Sequence, residues 1–486
     1  MPSTLGVLLT FLVYIIFIFI ISQMTRRTDD NATFFLAHRA SPWWVVAIGM
    51  LGDSISGVTF VSVPGDVVHS GMSYMQLVFG FFLGYIIVAY VLLPLYYRLR
   101  LVSIYTYLEK RFGLYTYRTG AVFFLVSKLF GAAAKLYVIT LILQELVFAP
   151  LGVPYSLTVV GVVGIIWLYT QRGGMGTIIW TDVLQTLCLI TTLILIIYQL
   201  SSQLGLDFSG MIDVVRHSEH HRIFIFDDWG SPLNFWKQLI SGAFIVIVMT
   251  GLDQNMMQKN LTCRNLREAR RNMLSYGFGF IPLNFLFLTL GILLVYYAGA
   301  KGIALPEKTD SILPYLASSH LGSWVLICFT LGITAASFSN ADSALTSLTT
   351  SVCTDLLGMD MKGGKSEKDL RHWIHLGICI AFALMVLIIG SLQQTSLLKT
   401  IYTAVSYTYG PLLGFFAFGL ITKYPIHDCL TPYIALASPL VSYLLAYMLE
   451  LTLGYKVGYE ILLFNGLFTF SALWLIRQRD GEKVFV

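Results

Sequence analysis
Runs of about 20 mostly apolar residues, the length an α-helix needs to cross ~30 Å of hydrocarbon, recur along this chain from one end to the other. They fall near residues 3–23, 43–68, 72–97, 116–149, 155–170, 176–201, 236–257, 272–299, 321–355, 372–391, 396–421, 429–450 and 458–476. The stretches between them are too short to fold as soluble domains. Of the 486 residues 56% are hydrophobic and 12% charged, and the mean hydropathy is +0.74, a balance that water would not keep in solution. The chain therefore reads as an all-α integral membrane protein with about thirteen transmembrane helices and the lipid bilayer as its solvent. The first run lacks the short apolar core and small-residue cleavage site of a signal peptide and is expected to be a retained helix. Pro64 and Gly65 inside the second run are tolerable where neighbouring helices or water satisfy the freed backbone.

Orientation follows from Lys and Arg, which accumulate in cytoplasmic loops. One alternating set of loops holds Arg26, Arg27, Arg39, Arg98, Arg100, Lys110, Arg111, Arg118, Arg172, Lys259, Arg264, Arg267, Arg270 and Arg271. It continues with Lys362, Lys365, Lys368, Arg371, Lys423, Arg477, Arg479 and Lys483. The opposite set has only Arg216, Arg222, Lys237, Lys301, Lys308, Lys399 and Lys456. An N-terminus outside and a C-terminus in the cytoplasm fit this asymmetry, in a plasma or inner membrane. The net charge of +5 then belongs to cytoplasmic loops and does not indicate nucleic-acid binding. The six cysteines show no CxxC spacing and read as small apolar residues in helix contacts. The outer segment 202–235 contains HSEHHRIFIFDDW, read as a solvated loop or gate rather than a metal site, since no second cluster completes a ligand set.

Polar side chains at bilayer depth are expensive and mark function by default. Gly52, Asp53, Ser54, Ser56, Gly57 and Thr59 form a flexible polar patch in an otherwise apolar run. Such a patch suits a broken helix whose unwound carbonyls coordinate a cation while hydroxyls meet a solute; small residues also serve close helix packing, but packing needs no carboxylate. In the ninth run Ser337, Ser339, Asn340, Asp342, Ser343, Thr346, Ser347, Thr349 and Thr350 recur at helical spacing. Sodium is a hard cation that takes oxygen ligands, by the logic that holds for calcium and magnesium, and this stripe offers them. Asp182 lies one to two turns inside the sixth run and reads as a cation ligand or a helix cap. Lys128 and Lys135 share nearly one face of the fourth run. Lys128 is placed to snorkel; Lys135, which is deeper, either pairs with a carboxylate such as Asp53 or Asp342, the favoured expectation, or faces an anionic part of a solute.

These segments resemble those of the sodium:solute symporter family. GGMGTIIWTDVLQT, residues 173–186, resembles the family's GGxxxVxWTDxxQ; GLDQNMMQKNLTCRNLREAR, residues 251–270, is similar to its D/NQxxxQRxLxxxxxxEAxR; SNADSALTSLTT, residues 339–350, is the third match. The resemblance implies a LeuT-type fold of two inverted five-helix repeats. Residues 1–42 would hold an extra helix and a cytoplasmic linker, 43–202 the first repeat, 203–421 an external loop and the second repeat, and 422–486 two further helices and a tail. It also implies a sodium site at the backbone carbonyls of Gly52, Ile55 and Ala336 and the side chains of Ser339 and Asn340. A second sodium site would use Asp182, Asp342 and Ser343, and a solute site Asp53, Ser56, Thr59, Val78 and Lys135. The chain departs from the pattern where Asn340 replaces a Ser or Thr and where Asp342 stands in place of a common hydroxyl.

The function so implied is sodium-coupled uptake of a small polar organic solute, a sugar, sugar acid or similar, by alternating access, with no cofactor and no catalysis. Proton coupling through Asp342 is the alternative, and a transporter-like solute sensor a weaker one, since the tail after Leu475 is too short for a signalling domain. A channel fits poorly, because the polar patches sit on separate helices. HExxH, GxSxG and P-loop motifs are absent from the sequence. The charge asymmetry predicts that a protease-sensitive tag fused after Val486 stays protected in intact cells; cleavage by external protease would reverse the assigned topology.

Overall fold
The computed structural model describes residues 2–25, 29–227, 229–361, 364–391, 397–455, 457–458 and 460–478. Arg26, Arg27, Asp228, Lys362, Lys456, Arg479 and Lys483, which entered the charge and loop readings, lie outside the described residues. The principal helices are α1 (Pro2–Thr25), α2 (Trp43–Ser54), α3 (Gly57–Ser70), α4 (Tyr74–Ile87), α5 (Leu114–Leu143), α6 (Tyr155–Gly173), α7 (Met175–Gln203) and α8 (Phe235–Val246). They continue with α9 (Gln254–Leu261), α10 (Leu266–Lys301), α11 (Ser323–Ser351), α12 (Lys365–Ser391), α13 (Leu397–Ile421), α14 (Thr431–Leu453) and α15 (Ile461–Leu475).

Among the described residues nine helices are long and apolar enough to cross a membrane, or ten if one bent pair counts as a single span. The expected thirteen are not all separate by that measure. α2 ends after 12 residues at a break, α15 has 15, and Gly57–Arg98 runs on as one helical stretch through the turn between α3 and α4.

Two interruptions organise the bundle. Between α2 and α3, Ile55 and Ser56 leave the helical region with φ/ψ of −92/96° and −82/168°. The Ser56 hydroxyl then accepts from the Thr59 amide at 3.3 Å and caps the new helix. The second interruption was not anticipated: the span expected over 236–257 bends by 65° between Phe235–Gly251 and Gln254–Leu261. It follows a wider π-turn at Ile247–Gly251, and Asp253 caps α9 by accepting from the Met256 amide at 3.1 Å.

α11 is the most enclosed span, with 78% of its apolar window buried, against 17% for the span ending in α14. This separates a central helix from a peripheral one. α11 packs on α7 and α5, and α7 on α2, so the hydroxyl stripe lies at the centre. α4 and α8 meet through glycines: a Cβ on Gly80 would sit 2.2 Å from the Leu239 carbonyl oxygen, and one on Gly242 2.3 Å from that of Leu77.

Two sets of polar contacts tie loops to the helices. In the first, the fully buried Arg371 binds Asp29 at 2.7 Å and Asn31 at 3.1 Å, and its guanidinium lies 4.6 Å from the centre of the Phe34 ring. Burial raises the Asp29 pKa, but Lys368, His372 and Arg371 outweigh it and hold the carboxyl below its ordinary value. In the second, the segment between α7 and α8 docks on the turn after α3, where the Met72 amide donates to the His220 carbonyl at 3.0 Å. Gln76 donates to Leu233 and accepts from Ile225, each at 2.9 Å. His217, His220 and His221 form no metal-binding cluster with other described residues.

Backbone contact at Gly80 leaves no room for a methyl group. Gly80→Ala is expected to destabilise the fold by about 1–3 kcal/mol, read as a lower unfolding midpoint in detergent, and an unchanged midpoint would contradict the close approach.

Candidate ion and solute site
The interruption after α2 strips Gly52, Asp53 and Ser54 of intrahelical partners for their carbonyls, as at any helix C-terminus. The Asn340 amide nitrogen of α11 donates a short bond to the Asp53 carbonyl, which leaves its Oδ1 as an acceptor. Gly52 is set tightly against α7, where a Cβ would lie 2.2 Å from the Thr186 hydroxyl. Thr186 Oγ1 donates to the Ile48 carbonyl at 2.9 Å. On the other side of the break, a Cβ on Gly57 would lie 2.3 Å from the Ser337 hydroxyl. α2 and α11 pack together, and of the expected sodium ligands Asn340 reaches the break itself, while Gly52 and Ser339 each contact α7.

Beside the break lies a cavity of about 100 Å³ lined by Asp53, Ser54, Ser56 and Thr59 from the first interrupted helix and Lys128 and Lys135 from α5. Met249, Thr250, Asp253 and Asn255 line it from the second interruption, with Phe81, Tyr85, Tyr276, Phe280 and Asn340 completing the wall. Four of the five expected solute contacts are therefore brought together. Val78 is not among them. It is buried on the α4 face that carries Phe81 and Tyr85 three and seven residues on, and those longer aromatic side chains form the wall.

The charges are paired differently from the expectation. Lys135 has no carboxylate within ion-pair distance among the described residues, which corrects the favoured internal pair. Lys128 is not free to snorkel: its Nζ lies 3.1 Å from Asp253 Oδ2, and the Tyr409 hydroxyl donates to the same oxygen at 2.7 Å. The partner of Asp53 is Lys259, at 3.0 Å, which also lies 2.6 Å from Asp182 Oδ2. The Lys259 and Asp53 side chains are each 1% exposed and that of Asp182 0%, so Lys259 is no loop charge. The Ser339 hydroxyl donates to Asp182 Oδ1 at 2.6 Å. Asp342 instead accepts from the Tyr169 hydroxyl at 2.7 Å and from Ser343 at 3.2 Å.

Sequence reasoning missed Asp253, Asn255, Tyr276 and Lys259. The first two carry a faint signal: near the end of a second apolar run, Gly251, Asp253, Gln254 and Asn255 repeat the small and polar pattern that marked the first break. Buried acceptors without a partner remain at Asp53 Oδ1 and Asn255 Oδ1, and each such atom costs about 1–3 kcal/mol until something donates to or coordinates it. Both residues are among those that line the cavity.

Two interrupted helices meeting at a buried polar cavity define the molecule as a multi-pass membrane protein of the broken-helix transporter type. The model of the "Sodium:solute symporter family" matches residues 34–424, and the chain belongs to that family. It is 25% identical over 416 residues to the sodium-coupled monocarboxylate transporter 1 of Mus musculus, an alignment covering 82% of this chain and 65% of that protein. It is 28% identical over 406 residues to the sodium-dependent multivitamin transporter of Oryctolagus cuniculus, covering 79% of this chain and 61% of that protein. The chain thus spans less than two thirds of the length of these relatives, which are named as transporters rather than enzymes. A sodium-coupled sialic acid symporter solved in a substrate-bound, outward-open state superposes with a TM-score of 0.80 at 18% identity, covering 97% of each chain. That likeness establishes the shared LeuT-like fold.

Removing Lys128 would leave Asp253 as a buried, unpaired charge. Lys128→Met is expected to cost about 3–5 kcal/mol, and adding Asp253→Asn to recover part of it. A double-mutant cycle on thermal unfolding that shows no coupling would dismiss the pair.

Proposed function
We propose that the protein carries a small carboxylate-bearing organic anion into the cell together with sodium. The observation that supports this most directly is Lys135. It lines the cavity without a carboxylate partner among the described residues, whereas the other two lysines of this region are both paired. An ammonium held away from water is stabilised by an anion and not by a neutral sugar. The cavity of about 100 Å³ is also smaller than the ~150 Å³ space that admits benzene, which favours a solute of a few carbons. The name of the mouse relative, a monocarboxylate transporter, agrees with that class.

In this reading sodium binds at the first break, held by the carbonyls of Gly52, Ile55 and Ala336 with the Ser339 hydroxyl and the Asn340 amide oxygen. Ser339 spends its proton on Asp182 and keeps its lone pairs for a cation. Asp53, Ser56, Thr59 and Lys135 face the solute. Residues 43–202 and 203–421 act as the two inverted repeats, each opening on an interrupted helix, with 1–42 and 422–486 as additions at either end. The termini face outside and cytoplasm respectively, in the plasma or inner membrane. Sodium from outside fixes the broken helix and completes the solute site, the loaded protein closes and opens inward, and both ligands leave. The membrane potential adds about 2.3 kcal/mol per charge per 100 mV.

The test is uptake into proteoliposomes of labelled acetate, lactate, pyruvate and glucose, in sodium against potassium. Carboxylate uptake that requires sodium is expected. Lys135→Met should raise the half-saturating carboxylate concentration by at least about tenfold, and Asn340→Ala the half-saturating sodium concentration. Glucose uptake left intact by Lys135→Met would overturn the solute class.

A further inference from the structure
Most polar side chains around the central cavity already have partners. The Ser56 and Thr59 hydroxyls face each other at 3.3 Å, Tyr276 stands between the hydroxyls of Ser54 and Tyr85, and Lys128 is paired with Asp253. Among the described residues that line the cavity, two buried acceptor oxygens have none: Asp53 Oδ1 and Asn255 Oδ1. They share the wall with the Lys135 ammonium.

The chemistry of both oxygens is fixed by their neighbours. Asn255 turns its amide nitrogen to Asp53 Oδ2, 2.8 Å away. A carboxylate oxygen there can only accept, so the other arm of Asn255 is its carbonyl oxygen. Lys259, 3.0 Å from the same Oδ2, pairs with Asp53 as a carboxylate, whose second oxygen is likewise an acceptor. Asn255 is also firmly held: all eight residues of α9 are buried, and Gln258 ties that helix to the Phe35 carbonyl at 2.7 Å and to the Thr350 hydroxyl at 2.8 Å.

An ionised acid has no proton to give through its carboxylate. A solute with a carboxylate alone would meet Lys135 and leave both oxygens unpaired, and a keto group would add a further acceptor to a place that lacks donors. A hydroxyl supplies the missing proton, and a cavity of about 100 Å³ puts it within a carbon or two of the carboxylate. An ammonium would supply protons too, but at Asp53 it would join the Lys259 ammonium on one carboxylate, where like charges repel.

We propose that Asp53 and Asn255 form a hydroxyl-recognising subsite, so that the solute is a short hydroxy acid bound in preference to the matching keto and unsubstituted acids. This inference rests on the carboxylate reading given above and names the second polar group of that solute. It makes Asn255 a specificity-determining residue contributed by the second helix break.

Equilibrium binding of radiolabelled lactate, pyruvate, propionate and alanine to the purified protein in sodium compares four three-carbon acids that differ at one carbon. Lactate is expected to bind at least about tenfold tighter than pyruvate or propionate, and tighter than alanine. Asn255→Leu, close in size but without the acceptor, is expected to lower the lactate-to-propionate preference by about fivefold or more. Asn255→Ala carries the same expectation if the leucine variant does not fold. A purely structural role would weaken all four acids alike, so an unchanged preference would remove Asn255 from the subsite. Pyruvate or propionate bound as tightly as lactate would overturn the hydroxyl subsite and leave the carboxylate reading standing, and alanine bound most tightly would overturn it in favour of an ammonium. Sodium-dependent binding of none of the four would bring down the carboxylate reading and this inference with it.

Discussion
Backbone groups freed at bilayer depth are the constraint around which this structure is arranged. A break in a membrane helix exposes carbonyls and amides that lipid cannot satisfy, at several kcal/mol each, so it survives only inside a jacket of protein. The chain supplies that jacket from α11, the most enclosed of its spans, and from α7. Asn340 takes the Asp53 carbonyl, Ser56 and Asp253 cap the helices that restart, and glycines at 52 and 57 let α7 and α11 approach to within contact of the break. The hydroxyl-rich stripe of α11 and Thr186 of α7 lie against this break.

Charge pairing then fixes how the breaks sit relative to one another. Lys259, from the restart of the second interrupted helix, holds Asp53 at the end of α2 and Asp182 on α7. Lys128 on α5 holds Asp253 at the second break. Each interruption is thus gripped from outside itself by one ammonium, and removing either cation would strand a buried carboxylate. Lys135 is the exception on the cavity wall, and the contrast with its paired neighbours is what gives it meaning.

The membrane class, the first break and most of the cavity's first wall could be read from residues alone. Asp53 among Gly52, Ser56 and Thr59 stood out because an apolar run tolerates a carboxylate only for a reason. The second break was hidden because its residues lie at the end of a run, where polarity ordinarily marks the membrane surface. Lys259 was hidden for the same reason: beside Arg264 and Arg267 it looks like one more cytoplasmic charge, and only the 65° bend turns its short helix back into the protein. Which lysine pairs with which aspartate depends on distances between helices far apart in sequence, and no periodicity encodes it. Val78, expected at the solute by resemblance, does not line the cavity, whereas aromatic side chains farther along the same helix do.

α9 has a bearing on how the protein is made. Its eight residues, QNMMQKNL, are all buried, yet most are polar and one is charged, so no insertion machinery would release this segment into lipid by itself. A lone lysine at the centre of a membrane helix costs about 2.5–3.5 kcal/mol on insertion scales. Asp53 and Asp182, which pair with Lys259, precede α9 in the chain, as does Phe35, whereas Thr350, the other acceptor of Gln258, follows it. Both counter-charges of Lys259 are thus already in the chain when α9 emerges, so the cost of burying its ammonium need not be borne by an unpaired lysine in lipid.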